Sequence, residues 1–315
     1  MIINFLRNLT FRLDLAGVVG FFHGDVAIEA MATIHTHEYR QWLGWYNTPG
    51  GFDVARRYGQ LCASRFWDSL YPGVHVEPAV LLRLDGQQGP RYRALYSGTV
   101  LEKTSHAAHL LLECCKALRT PPPIDGRQTK PVPVTVVDLK SVPDFDGPLL
   151  VKPLPSDDRS FRLAAVPILT TLISAAACAV FGDWLCCAII LAGAMSTGLF
   201  CLVIGSATLT YSRPTPARGV PLGDGILDNG SSVVVLLGDE GAVNAVTKGS
   251  FHLLFKTAPE YHDIGICCTF LTFQSFIQLL VIPQCTLLGQ IMFLGSMCAS
   301  WVYNSFLCSL DREDV

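Results

Sequence analysis

Residues 163–204 read LAAVPILTTLISAAACAVFGDWLCCAIILAGAMSTGLFCLVI, and residues 264–307 read IGICCTFLTFQSFIQLLVIPQCTLLGQIMFLGSMCASWVYNSFL. No Asp, Glu, Lys, Arg or His interrupts Leu163–Phe181, Trp184–Ile204, Ile264–Ile282 or Thr286–Leu307, runs of 19, 21, 19 and 22 residues. A helix rising 1.5 Å per residue needs roughly 20 such residues to cross a hydrocarbon core, so each run is long enough to span. Only Gly182-Asp183 parts the first two runs and Pro283-Gln284-Cys285 the second two, links too short for anything but antiparallel hairpins. The expected fold class is an α-helical membrane protein with four transmembrane helices in two hairpins. Pro167 falls near the start of the first run, where a missing N–H is tolerated, and no functional kink is expected there.

Composition points the same way. Half of the 315 residues are hydrophobic, 16% are charged, and the mean hydropathy is +0.38, outside the ordinary soluble range. A net charge of −3 provides no basic field for nucleic acid, which is excluded as a partner. Of the 12 cysteines, nine lie in or beside the apolar runs and act as small hydrophobes. Cys62, Cys114 and Cys115 have no framework spacing, so reduced thiols are expected.

Arg159 and Arg162 precede the first run, Arg213, Arg218, Lys248 and Lys256 lie between the second and third, and Arg312 follows the fourth. Neither hairpin link carries a cation, so the positive-inside rule puts both termini and the middle segment in the cytoplasm. At the amino terminus the run Leu15–Phe22 follows Arg7 and Arg12, but it is too short to span and lacks a cleavage site.

Six segments follow. Residues 1–120 are expected to be a partly ordered cytosolic region with helical signals at 54–70 and 103–118. Residues 121–160 read as an extended tether, since nine of the 19 prolines fall between Pro121 and Pro155 and forbid a helix or a central strand. Residues 161–206 are the first hairpin. Residues 207–262 read as a small α+β cytosolic module, with strand signals at Thr208–Tyr211, Ser232–Leu237 and Phe251–Phe255. Turn signals there are Gly223-Asp224-Gly225 and Asp228-Asn229-Gly230, and Asp239 is placed to cap a helix over Glu240–Lys248 stopped by Gly249. A module of this size needs support from the membrane or the amino-terminal region. Residues 263–308 are the second hairpin and 309–315 a cytosolic tail.

The phrases Gly223-Asp224-Gly225-Ile226-Leu227, Gly241–Gly249, Ile282-Pro283-Gln284, Gly289–Phe293 and Trp301-Val302-Tyr303-Asn304 resemble a group of uncharacterised multi-pass membrane proteins of basidiomycete fungi. The resemblance covers the second half of the chain and implies a multi-pass membrane protein, with no activity, cofactor or catalytic residue attached.

Chemistry-bearing residues are sparse. His35, His37 and Glu38, with His23 nearby, are metal-ligand types without zinc-site spacing, and a solvated polar turn is the expected reading. His106, His109, Glu113 and Cys114 share one helical face and read as amphipathic surface. Gly238-Asp239-Glu240-Gly241 lacks the Gly-Lys-Ser/Thr ending of a phosphate loop, and no nucleophile elbow or zinc-protease helix occurs. Neither catalytic residues nor a cofactor are expected. Inside the spans, Gln274 and Gln278 share a face, as do Ser296, Ser300 and Asn304. Ala188, Ala192 and Ser196, or Ala194 and Gly198, permit close helix approach. These polar positions serve helix packing or line a pore. Cys308, at the end of the fourth run, is a candidate for lipidation. Three function classes result: a non-enzymatic membrane scaffold that presents cytosolic modules to a protein partner, a channel or carrier built as a homo-oligomer, and last a membrane-embedded lipid enzyme, for which only scattered histidines such as His252 and His262 are available.

Overall fold

A computed structural model describes residues 24–62, 64–73, 77–118, 132–139, 147–155, 158–256 and 261–310. His23, the run Leu15–Phe22, the N-glycosylation signal Asn8-Leu9-Thr10, Pro121-Pro122-Pro123 and Arg312 lie outside the described residues. The helices are α1 Gly24–Ala32, α2 Gly51–Gly59, α3 Arg65–Leu70, α4 Pro78–Leu81, α5 His106–Ala117, α6 Asp158–Val180, α7 Trp184–Ile204, α8 Glu240–Lys248, α9 His262–Val281 and α10 Leu287–Cys308. The strands are β1 Arg91–Ala94, β2 Val100–Leu101, β3 Val134–Asp138, β4 Leu149–Leu150, β5 Thr208–Ser212, β6 Gly225–Asp228, β7 Val233–Leu237 and β8 Ser250–Leu254.

The chain divides into two compact units, one of residues 1–82, 152–208 and 253–315, the other of residues 83–151 and 209–252. This division does not follow the order of segments along the chain.

In the first unit α6, α7, α9 and α10 are each long and apolar enough to cross a membrane. α6 packs on α7 and α10, and α7 on α9. Local signals set the helix ends. Asp183 at the N-cap of α7 accepts from Cys186 N at 3.2 Å, and Thr286 at the N-cap of α10 accepts from Gly289 N at 3.1 Å. α6 begins at Asp158, well before the apolar run, which places Pro167 inside the helix and buries it. The expectation of a terminal proline is thereby corrected: the missing N–H leaves the Leu163 carbonyl without its i+4 donor in mid-helix.

The remaining elements of this unit come from the amino-terminal region. α1 packs on α10 and on α2, and α2 packs along α9. The helical signal at 54–70 resolves into α2 and α3, and Ser64 caps the second of them by accepting from Trp67 N. Residues 24–62 therefore belong to the same body as the spans and form no separate amino-terminal region.

In the second unit, one sheet has the order β2-β1-β6-β7-β3 and the other the order β4-β5-β8. The register Tyr92↔Leu227, Leu227↔Val234 and Val136↔Val235 alternates residues between two faces. Tyr92, Ala94, Leu227, Val234 and Leu236 form a core with Ala108 and Leu112 of α5 and Ala242 and Val243 of α8. Ser105 anchors the start of α5 to the end of α8, its Oγ donating to Val246 O at 2.6 Å and its N to Thr247 O at 3.0 Å. The 207–262 segment thus draws three strands of its main sheet from earlier in the chain, β1 and β2 before the proline-rich stretch and β3 within it. β3 sits at the sheet edge and runs parallel to β7, the position where flanking prolines are tolerated.

Candidate functional site

Polar residues of the spans meet the amino-terminal segment inside the first unit. Residues 41–47 lie against the small-residue face of α7: a Cβ on Gly198 would collide with the Trp45 ring, and one on Gly193 with Asn47 Oδ1 and, at 2.7 Å, Gln278 Nε2. Of the two small-residue stripes in the sequence, Ala194 and Gly198 face inward, whereas Ala188 is exposed and Ala192 and Ser196 are half-buried. Gln278 Nε2 donates to Asn47 Oδ1 at 2.9 Å, and the buried Gln274 donates to Ile189 O of α7 at 3.2 Å. Asn304 Oδ1 accepts from the Tyr46 hydroxyl at 2.8 Å, which in turn accepts from Arg40 Nη2 at 3.0 Å. Arg40 also stands over the Tyr303 ring, 5.3 Å from its centroid. Ser296 and Ser300 donate within α10, to Phe293 O and Ser296 O. The thiol of Cys308 donates to Val26 O of α1 at 3.4 Å.

A cavity of about 640 Å³ opens beside this network. Asp25 of α1, Asp53, Arg56 and Arg57 of α2, Thr48, and Ser275 and Gln278 of α9 supply its polar wall, and Phe52, Ile282, Phe293 and Met297 an apolar one. Burial holds the Asp53 carboxyl above the usual carboxylate range, and nearby Asp25 adds to this while Arg56 opposes it. Thr48 Oγ1 and Asn47 Nδ2 are buried without a hydrogen-bond partner. Paired guanidinium groups, carboxylates and an amide against an apolar floor are the layout of a small-molecule pocket.

His35 is not solvated, contrary to expectation. It is 7% exposed, its Nε2 meets the Tyr58 hydroxyl at 3.4 Å, and Phe255 lies edge-on at 6.1 Å. His37 Nδ1 hydrogen-bonds to Thr36 Oγ1 at 2.9 Å, and His35, His37 and Glu38 form no convergent ligand group among the described residues. Burial lowers the His35 pKa to about 3, and its Nδ1 has no hydrogen-bond partner. The unfolded imidazole titrates near 6.5, so below that pH the unfolded chain binds the extra proton. Stability is complete above about pH 6.5 and falls as pH drops toward 3, a loss of about 2 kcal/mol by pH 5. Unfolding midpoints in detergent between pH 7.5 and 5 test this: wild type should decline and His35→Leu should decline less, whereas equal slopes count against His35.

Among the described residues, the ligand-type side chains that do converge are Asp183, Cys186 and Cys285. Asp183 carries no metal-site spacing in the sequence, yet it joins the two hairpins: its Oδ2 accepts from Thr286 N at 2.9 Å and from Thr286 Oγ1 at 2.7 Å. No family model, curated protein or solved structure matches the chain.

Proposed function

We propose that the chain is an integral membrane scaffold whose four long helices cross the bilayer as two hairpins while the strand-bearing unit serves a protein partner in the cytoplasm. The observation that carries the membrane half of this reading is apolar surface left uncovered. Ile173 and Val180 of α6 are 65% and 82% exposed, and Phe270 and Leu280 of α9 67% and 73%. Such faces are costly in water and neutral in lipid. The scaffold half is supported by the use of Gln274 and Asn304 in contacts inside the unit, which removes them from a pore wall. In the other unit, Val134 and Val136 of the edge strand are 62% and 61% exposed, a surface open to a partner. The resemblance to basidiomycete membrane proteins fits this reading.

Cross-linking and mass spectrometry of the native membrane complex test it. A stable cytosolic partner linked through residues 83–151 or 209–252 is expected, and a homo-oligomer without partner overturns the scaffold. The cavity, with Gln278 in its wall, favours a carrier as the second reading, for which the homo-oligomer would be the supporting result.

Orientation has its own test. Arg162, Arg213, Arg218, Lys248 and Lys256 flank the helices while the hairpin links hold no cation, so the Asn229-Gly230-Ser231 sequon should stay cytoplasmic and carry no glycan. Expression in a eukaryotic cell with glycosidase treatment reads this directly. A mobility shift abolished by Asn229→Gln would invert the topology.

A further inference from the structure

We propose that Asp183, Cys186 and Cys285, completed by Cys178, form a binding site for one Zn²⁺ ion at the linked ends of the two hairpins. The ligand atoms of Asp183, Cys186 and Cys285 all lie within 4.8 Å of one another. Donors on one tetrahedral zinc sit about 3.8 Å apart for sulfur pairs, so a movement of about 1 Å closes the group on an ion. Cys178 lies at the end of α6, its carbonyl accepting from Asp183 N at 2.8 Å, and its side chain shares one buried cluster with Cys186 and Cys285, the Cys186 thiol donating to Gly289 O at 3.2 Å. The four side chains are 1%, 7%, 0% and 8% exposed in chain order. Ile189, Ile190, Ile282, Phe293 and Met297 pack around the cysteines and keep water from competing for the ion.

Room for an ion depends on a residue that contributes no donor. A Cβ on Gly289 would collide with Asp183 Oδ2 and come within 3.1 Å of Cys186 Sγ, so α10 can approach the cluster only with glycine there. Backbone contacts also pre-set the carboxylate. Oδ2 takes both bonds from Thr286, whereas Oδ1 takes only the 3.2 Å bond from Cys186 N and keeps a lone pair for a cation. Three sulfurs and one oxygen select zinc: soft thiolates are poor ligands for the hard cations Mg²⁺ and Ca²⁺, which prefer oxygen, and a carboxylate suits borderline Zn²⁺ better than soft Cu⁺. Each ligating thiol gives its proton to solvent as the Zn–S bond forms, so affinity rises with pH. Because the ligands come from both hairpins, the ion would lock the two together.

The test uses the full chain purified in detergent under reducing conditions, stripped with a chelator and then titrated with Zn²⁺ or Co²⁺. One Zn²⁺ per chain and thiolate-to-cobalt charge-transfer absorption are expected. Cys285→Ser, which alters a residue outside the helices, should lower Zn²⁺ affinity at least tenfold while the stripped protein melts as wild type does. Cys186→Ser should do the same if it folds, and Cys268→Ser, a buried thiol of α9 outside this cluster, should bind as wild type. The site does not exist if wild type takes up no Zn²⁺, if Cys268→Ser weakens binding as much as Cys285→Ser, or if the untreated protein carries a Cys186–Cys285 disulfide in place of metal.

Discussion

Tyr46→Ala should destabilise the first unit by about 3–5 kcal/mol, the cost of emptying a fully buried aromatic site. Tyr46 is 0% exposed, packs edge-on to Tyr303 at 5.7 Å between ring centroids, and its hydroxyl links Arg40 to Asn304. Tyr46→Phe keeps the ring and removes both hydrogen bonds, so it should cost less, about 1–3 kcal/mol. The larger share of that cost falls on Arg40, which is 3% exposed and whose Nε and Nη1 have no hydrogen-bond partner even in the wild type. Arg40→Met deletes a buried charge that no carboxylate among the described residues neutralises, and it should leave the bundle as stable as wild type or more stable by about 1 kcal/mol or more. Unfolding of the four proteins in detergent, with the Tyr46→Phe/Arg40→Met double variant closing the cycle, separates the two contributions. If Tyr46→Phe proves as damaging as Tyr46→Ala, ring packing is not the dominant part, and if Arg40→Met is strongly destabilising, the guanidinium has a partner that repays its burial.

Asp183→Ala should cost about 3 kcal/mol or more, measured with chelator present so that no metal contributes. The carboxylate receives Cys186 N, Thr286 N and Thr286 Oγ1, and its removal leaves the first turn of α7 and the start of α10 with unmet donors. Loss of an N-cap alone accounts for about 1 kcal/mol, and the rest belongs to the bond between hairpins. Thr286→Ala should cost about 1–2 kcal/mol, because it removes the cap that Gly289 N uses as well as one donor to Asp183. The two substitutions should be strongly non-additive. Additive losses would mean that Asp183 serves only its own helix.

The four long helices and the small helix Glu240–Lys248 were legible in the sequence because their signals are local: an uncharged run of about 20 apolar residues, or an Asp before and a Gly after, although Asp239 stands at the N-cap without a side-chain cap bond. Trp184–Ile204 emerges with the expected bounds, and the other three spans differ from them only at their ends. Pro167 was misplaced within its helix because polar residues from Asp158 onward extend α6 beyond the apolar run, and no hydropathy signal marks such an extension. Gln274, Gln278 and Asn304 could be singled out as polar groups needing partners, but not what those partners are. Asn47 and Tyr46 carry no periodic pattern, and they reach the spans because Gly193 and Gly198 leave space of matching shape.

The same holds for His35, whose burial comes from Tyr58 and from Phe255, 220 residues away in the chain. It holds too for β3, whose alignment along β7 joins segments that composition reads as a tether and a separate module. Local pattern was enough for the four long apolar helices, their length for a bilayer and the placing of the cations, since these depend on residues within a turn or two of one another, but it left Gly24–Ala32 and Pro78–Leu81 unread. Tertiary packing alone brings residues 24–62 among the long helices, assembles a sheet across the proline-rich stretch, and gathers Asp183, Cys186 and Cys285 at one point. Each of these is a meeting of distant residues fixed by shape, burial and hydrogen-bond satisfaction, and none leaves a trace in the spacing of neighbours along the chain.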